Sequence, residues 1–159
     1  MGFSIVILAA GQGTRMASNK PKTLQVLAGK PMLTNILEQA ITVRPDQVII
    51  VHSPEDIDEI KKETKQFQGL LFVEQNKPLG TGHALKKALP IIKRCNNVLV
   101  LLGDVPLIKN DTLLQLIKNL SDCDIRVLSS NTTQPTGYGR IKKDAGNCVK
   151  AIIEEQEAN

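Results

Sequence analysis

The feature that most constrains this chain is an alternation of two apolar patterns. Residues 5–10, 48–51, 70–73 and 98–102 form continuous runs, rich in branched side chains and too short for helices. Continuous apolarity suits strands whose sheet is covered on both faces, as in a parallel sheet. Between the runs lie stretches of helical period. Leu33, Ile36, Leu37, Ala40 and Ile41 make one stripe, and Leu113, Leu116, Ile117 and Leu120 another. Ser53 as N-cap and Pro54 at the first helical position open a third helix, with Asp56 at a capping-box-like spacing. A fourth begins near Thr81 and bends or ends near Pro90, which lacks a backbone donor. The order β-α-β-α-β-α-β-α-β predicts a doubly wound, three-layer α/β fold with a mainly parallel sheet and 98–102 as a central strand. Beyond 124–129 the pattern loosens. Residues 138–141 and 149–153 read as strands, reached through a turn carrying Pro135, Gly137 and Gly139.

At 159 residues the chain has the size of one domain. Its net charge of +4 raises the question of nucleic acid. The lysines are scattered among carboxylates, and Phe3, Phe67, Phe72 and Tyr138 are all the aromatics present, so the stacking platforms that hold single strands are missing. Small anionic substrates fit this surface better than nucleic acid. Cys95, Cys123 and Cys148 show no metal-binding or redox spacing and read as reduced thiols. The run at 5–10 is too short to span a membrane and has no basic stretch before it. The expectation is a soluble, cytoplasmic protein with no membrane partner.

The first apolar run leads directly into Gly11-Gln12-Gly13-Thr14-Arg15-Met16, with Lys22 six residues further on. Glycines at Gly11 and Gly13 let backbone N–H groups approach an anion, and Arg15 and Lys22 add positive charge. A Walker A loop has four residues between its glycines followed by Gly-Lys-Ser/Thr, and a dinucleotide fingerprint needs a third glycine where Met16 stands; neither is matched. The loop's position after the first strand, at the edge where open α/β sheets bind ligands, favours a phosphate site over a plain turn.

Gly103-Asp104-Val105-Pro106 follows the run at 98–102. An aspartate after a strand is commonly an N-cap, but the next helix starts near Asn110, too far on for Asp104 to cap it. A carboxylate on the glycine-loop side of the sheet is placed to hold Mg²⁺. Leu79-Gly80-Thr81-Gly82-His83 brings two glycines to a helix entry. His83 and His52 have no second ligand at metal spacing and read as structural.

Five segments then support a family resemblance. LAAGQGTRM (8–16) with KPK (20–22), EQNKPLGTGHAL (74–85), VLLGDVPL (100–107) and PTGYGRI (135–141) resemble the N-terminal uridylyltransferase domain of bacterial N-acetylglucosamine-1-phosphate uridylyltransferases, and the resemblance covers nearly the whole chain. It implies a Rossmann-like nucleotidyltransferase fold over 1–159, incomplete at its C-terminal end and without the β-helical acetyltransferase domain. It also implies UTP and N-acetylglucosamine-1-phosphate as substrates and Mg²⁺ as cofactor. Leu8, Ala9 and Gly11 would line the nucleoside pocket, with Gly13 in the same loop and Arg15 and Lys22 on the phosphates. Gln75 and Gly80 would bond the uracil edge, with Thr81 beside the nucleotide. Asp104 would hold the metal, and Gly139 and Glu154 the amino sugar. The chain departs from the family's usual pattern at Pro78, Leu102 and Gln156. A nucleotide-binding module without turnover, and a relative using CTP or GTP, remain as alternatives.

Overall fold

The computed structural model describes residues 2–11, 20–92, 97–118 and 124–157. The chain divides into two compact units, Met1–Asp124 and Ile125–Asn159.

The first unit contains strands β1 (Phe3–Leu8), β2 (Val26–Leu27), β3 (Lys30–Pro31), β4 (Gln47–His52), β5 (Leu70–Glu74) and β6 (Asn97–Leu102). Its helices are α1 (Met32–Thr42), α2 (Ile57–Glu63), α3 (Thr81–Ala88) and α4 (Asn110–Ile117). Four strands form a parallel sheet in the order β5-β4-β1-β6, with Leu8 of β1 opposite Val51 and Leu102. β2 and β3 make a small antiparallel pair.

Side chains alternate across each strand, so β1 feeds two apolar layers. Ile5 and Ile7 join Val48, Ile50, Leu99 and Leu101 beneath Leu33, Ile36 and Leu37 of α1, Ile60 of α2 and Leu113 of α4. Val6 joins Ile49 and Val51 on the other side, against Ala84 and Ala88 of α3. Two alanines at i and i+4 let that helix lie close to the sheet. Helices on both faces of a parallel sheet make the doubly wound, three-layer α/β architecture expected from the apolar pattern.

Two expectations require correction. Residues 98–102 are not a central strand: β6 is the outer strand of the described sheet, and Val98, Val100 and Leu102 are exposed. The reason is coverage, since α3 lies across β1, β4 and β5, while Leu99 and Leu101 alone turn into the α1/α4 layer. No capping box forms at Ser53. Its hydroxyl donates to the Asp56 carboxylate, a 3-10 turn spans Pro54–Asp56, and α2 begins only at Ile57. The break near Pro90 is as expected: α3 ends at Ala88 and a 3-10 turn covers Leu89–Ile91. In the apolar stripe of α4, Leu113 is buried and Leu116 and Ile117 pack on the core; Leu120 lies outside the described residues.

The second unit is built on β7 (Arg140–Lys143) paired antiparallel with β8 (Val149–Ile153), with a register shift at Lys142/Lys143. Among the described residues, no helix is long and apolar enough to cross a membrane.

Candidate functional site

The carboxyl ends of the four parallel strands define one rim. Past β1, the Ala9 N–H donates to the Val51 carbonyl at 2.7 Å, which extends the ladder beyond the last paired residue. Ala9 and Ala10 are buried and Gly11 is exposed, so the chain reaches the surface at the first glycine of the loop. Past β6, the Gly103 N–H donates to the Leu8 carbonyl at 2.8 Å. A Cβ at Gly103 would sit 2.8 Å from that carbonyl oxygen and 2.8 Å from Thr23 Cγ2. Glycine here is a requirement of close approach, because the chain leaving β6 lies against the end of β1 and Thr23.

That approach delivers Asp104 to Lys22. A 3-10 turn at Lys22–Leu24 is anchored by buried Thr23 and Leu24, and Lys22 Nζ stands 2.6 Å from Asp104 Oδ2. Both side chains are partly exposed, so the pair is formed at the surface of the rim. Asp104 does not cap a helix: the N-cap of α4 is Lys109.

At the other side of the rim, the Gln75 N–H donates to the His52 carbonyl at 2.8 Å and so continues β5 beside β4. The Gln75 residue is only 5 % exposed. Its amide nitrogen lies 3.3 Å from the Gly80 carbonyl oxygen and 2.8 Å from His83 Nδ1. Gly80 is the N-cap of α3 with φ of +93°, a conformation that side chains with a Cβ rarely adopt. Thr81 is the first residue of that helix and not its cap.

The rim therefore gathers Leu8, Ala9, Gly11, Lys22, Gln75, Gly80, Thr81 and Asp104. Gly13 and Arg15 fall outside the described residues. Gly139 and Glu154 belong to the second unit and lie together there. A Cβ at Gly139 would stand 3.4 Å from the Ile153 carbonyl oxygen, and Glu154 follows Ile153 directly. Lys22, expected on phosphates, is engaged with Asp104. Sequence reasoning gave no role to Gly103 and treated His83 as purely structural. The signal for Gly103 was its place between a strand and an acidic residue; for His83 there was none, since its contact with Gln75 depends on how α3 meets the end of β5.

The chemistry of the Asp104 carboxylate fits a magnesium ion. It already holds a cationic group at 2.6 Å, so the position favours positive charge. Mg²⁺ takes one or two carboxylates and fills its other positions with water and substrate phosphate oxygens.

Comparison with known proteins gives the chain's family. The chain is 46 % identical over 160 residues to the bifunctional protein GlmU of Francisella philomiragia, covering 99 % of this chain and 34 % of that protein. It is 42 % identical over 161 residues to GlmU of Francisella tularensis subsp. novicida, again 34 % of its length. The chain thus spans about a third of these relatives. Among solved structures, HddC from Yersinia pseudotuberculosis superposes with a TM-score of 0.76 at 26 % identity, over 95 % of this chain and 68 % of that one. The 4-diphosphocytidyl-2C-methyl-D-erythritol synthase of Anaerococcus prevotii shares the fold, with a TM-score of 0.70 at 20 % identity over 95 % of this chain and 63 % of that one. Residues 5–158 match the MobA-like NTP transferase domain. The resemblance carried by the five sequence motifs thus holds along the whole chain, and the chain belongs to the MobA-like NTP transferase domain family.

Proposed function

We propose that this chain carries a uridylyl-transfer site, joining UMP from UTP to N-acetylglucosamine-1-phosphate with release of pyrophosphate, and that it works in the cytoplasm. The observation that carries the reading is the meeting of Lys22 and Asp104 at 2.6 Å on the rim that also presents Gly11, Gln75 and Gly80. Such a rim brings a lysine ammonium, a carboxylate and a nearly buried amide to one edge of the sheet.

In this reading a phosphate oxygen of the sugar phosphate attacks the α-phosphorus of UTP in line. The bond to the bridging oxygen breaks as the new bond forms, and its electron pair leaves with pyrophosphate. No covalent intermediate on the protein is needed. The work of the chain is positioning and charge stabilisation. Leu8, Ala9 and Gly11 line the nucleoside pocket. The Gly13 amide, Arg15 and Lys22 meet the phosphates. Gln75 and Gly80 bond the uracil, Thr81 sits beside the nucleotide, and Gly139 and Glu154 take the amino sugar. Asp104 would hold Mg²⁺, which would supply positive charge to stabilise the polyphosphate as pyrophosphate leaves.

The test is pyrophosphate release from UTP and N-acetylglucosamine-1-phosphate in the presence of Mg²⁺, with Asp104→Asn as control. The variant is expected to lose about a hundredfold or more in rate. Its stability should change by less than about 1 kcal/mol, because the half-exposed ion pair contributes little to folding. Equal rates for the two proteins would reject the role of Asp104. A second reading, nucleotide binding without turnover, expects calorimetric binding of UTP with no pyrophosphate formed. A preference for CTP or GTP would overturn the assignment of Gln75. The comparison is pertinent because HddC has been solved with GMP-PN and the Anaerococcus prevotii protein is a diphosphocytidyl synthase.

A further inference from the structure

We infer that His83 is a positioning residue that fixes the amide of Gln75 so that only its carbonyl oxygen faces a bound base, and that this selects a uracil edge over a cytosine edge. The inference rests on the uridylyl reading and adds to it a residue and a direction of hydrogen bonding.

The orientation follows from what each neighbour can do. The Gly80 carbonyl oxygen can only accept, so the Gln75 atom 3.3 Å from it is the amide nitrogen. The same nitrogen lies 2.8 Å from His83 Nδ1. With one N–H on Gly80, the second points to His83, and Nδ1 must offer its lone pair. The His83 proton therefore sits on Nε2. Both N–H groups of the amide are spent inside the protein, which leaves Oε1, an acceptor, as the group Gln75 can present.

The anchors are themselves held. The Gly80 carbonyl also accepts the Ala84 N–H at 3.1 Å, the first bond of α3, and His83 is the third residue of that helix. Gln75 is tied through its own N–H to the His52 carbonyl at 2.8 Å. An amide flip would set a carbonyl oxygen against the Gly80 oxygen and the Nδ1 lone pair together, in a nearly buried position where such mismatches cost most.

An acceptor at Gln75, with the Gly80 N–H as the donor of the proposed base contact, reads an edge that carries an N–H beside a carbonyl. Uracil has that edge in N3–H and O4. Cytosine has it reversed, with a lone pair at N3 and an amino group at C4, so it would meet acceptor with acceptor and donor with donor. Sites built on such bonds discriminate strongly because the wrong partner leaves buried polar groups unpaired.

The experiment is calorimetric titration of the chain with UTP and with CTP, for the unaltered protein, His83→Leu and His83→Asn. The unaltered chain should bind UTP at least about tenfold more tightly than CTP. His83→Leu removes one of the two anchors, and the UTP/CTP preference should fall by about tenfold. His83→Asn keeps an acceptor oxygen close to where Nδ1 stands and should retain the preference. An undiminished preference in His83→Leu overturns the role of His83 while leaving the uridylyl reading intact. No preference for UTP in the unaltered chain overturns that reading, and this inference with it. Independently of any variant, ¹⁵N spectra of the unaltered chain should show neutral His83 protonated at Nε2. A proton at Nδ1 overturns the inference.

Discussion

The parallel sheet and the hairpin of the second unit are held by different forces. Along β1 and β4, Ile5, Val6, Ile7, Ile49, Ile50 and Val51 are completely buried, and helices close over both faces. In the β7–β8 hairpin, Val149 and Ile152 stand in solvent, Ile152 at 55 % exposure. What fixes the hairpin is directional: Asp144 gathers backbone N–H groups of its turn, and the Gly137 N–H donates to Glu155 at 2.6 Å. Arg140 also donates to the Pro135 carbonyl at 2.9 Å. Burial is non-directional and grows with area, whereas exposed polar contacts each contribute little and respond to pH and salt. The two units should therefore fail under different perturbations.

Truncating one buried and one exposed isoleucine gives the largest contrast. Ile50→Ala leaves a hole between the sheet and the helix layer of α1 and should cost about 2–5 kcal/mol in urea unfolding. Ile152→Ala removes atoms that already face water and should stay within about 0.5 kcal/mol. Comparable losses at the two sites would break the contrast.

A second substitution sharpens it at the rim. Gly103→Ala would place a methyl group 2.8 Å from the Leu8 carbonyl oxygen. That oxygen belongs to β1, paired on both sides, so it cannot swing aside as a flexible side chain can. The expected cost is about 1–3 kcal/mol. Asp104 should be displaced from Lys22 at the same time, so UTP binding should weaken along with stability. An unchanged midpoint would mean that the two strand ends are further apart than the 2.8 Å hydrogen bond between them implies.

The same contrast explains what could be read from the sequence. Residues 5–10 and 48–51 announced buried strands because each is apolar throughout, and β1 and β4 do lie between helices on both faces. Residues 98–102 carry the same signal yet form the outer strand of the described sheet. Apolar side chains record a tolerance for burial; which strand α3 covers is decided by the path of the chain. Ser53 shows the limit at shorter range: its hydroxyl had two acceptable uses, and the Asp56 carboxylate took it. At the rim, the places of Gly11, Gly80 and Asp104 could be read because each stands just after an apolar run or at a helix entry. A role for Gln75 was suggested only through the family motif. The tie from Gln75 to His83 was not legible, since no spacing rule joins a residue after a strand to one in the following helix.

The smallest effect expected belongs to Asp144 and tests the hairpin alone. Its Oδ1 accepts the backbone N–H groups of Cys148 at 2.9 Å and Gly146 at 3.0 Å, and Oδ2 lies 3.1 Å from Lys150 Nζ. The Cys148 N–H first and Lys150 next hold this carboxyl below the ordinary aspartate value; desolvation opposes them, and the Gly146 N–H adds a weaker lowering effect. A carboxyl lowered in the folded chain stabilises it in full above the unfolded value of about 3.9 and loses that stabilisation as pH falls through the lower, folded value. The turn from Asp144 to Cys148 should therefore be unaffected from neutral pH down to about 4 and loosen below it. In an NMR titration the amide shifts of Gly146 and Cys148 should move together with a midpoint below that of a free aspartate, while amides of β1 and β4 stay still. Asp144→Asn should abolish the transition, because a neutral amide keeps an acceptor oxygen but has no proton to gain in this range. A midpoint at or above the free value would mean that the N–H groups do not favour the charged form. The hairpin would then owe its shape to strand pairing rather than to its turn.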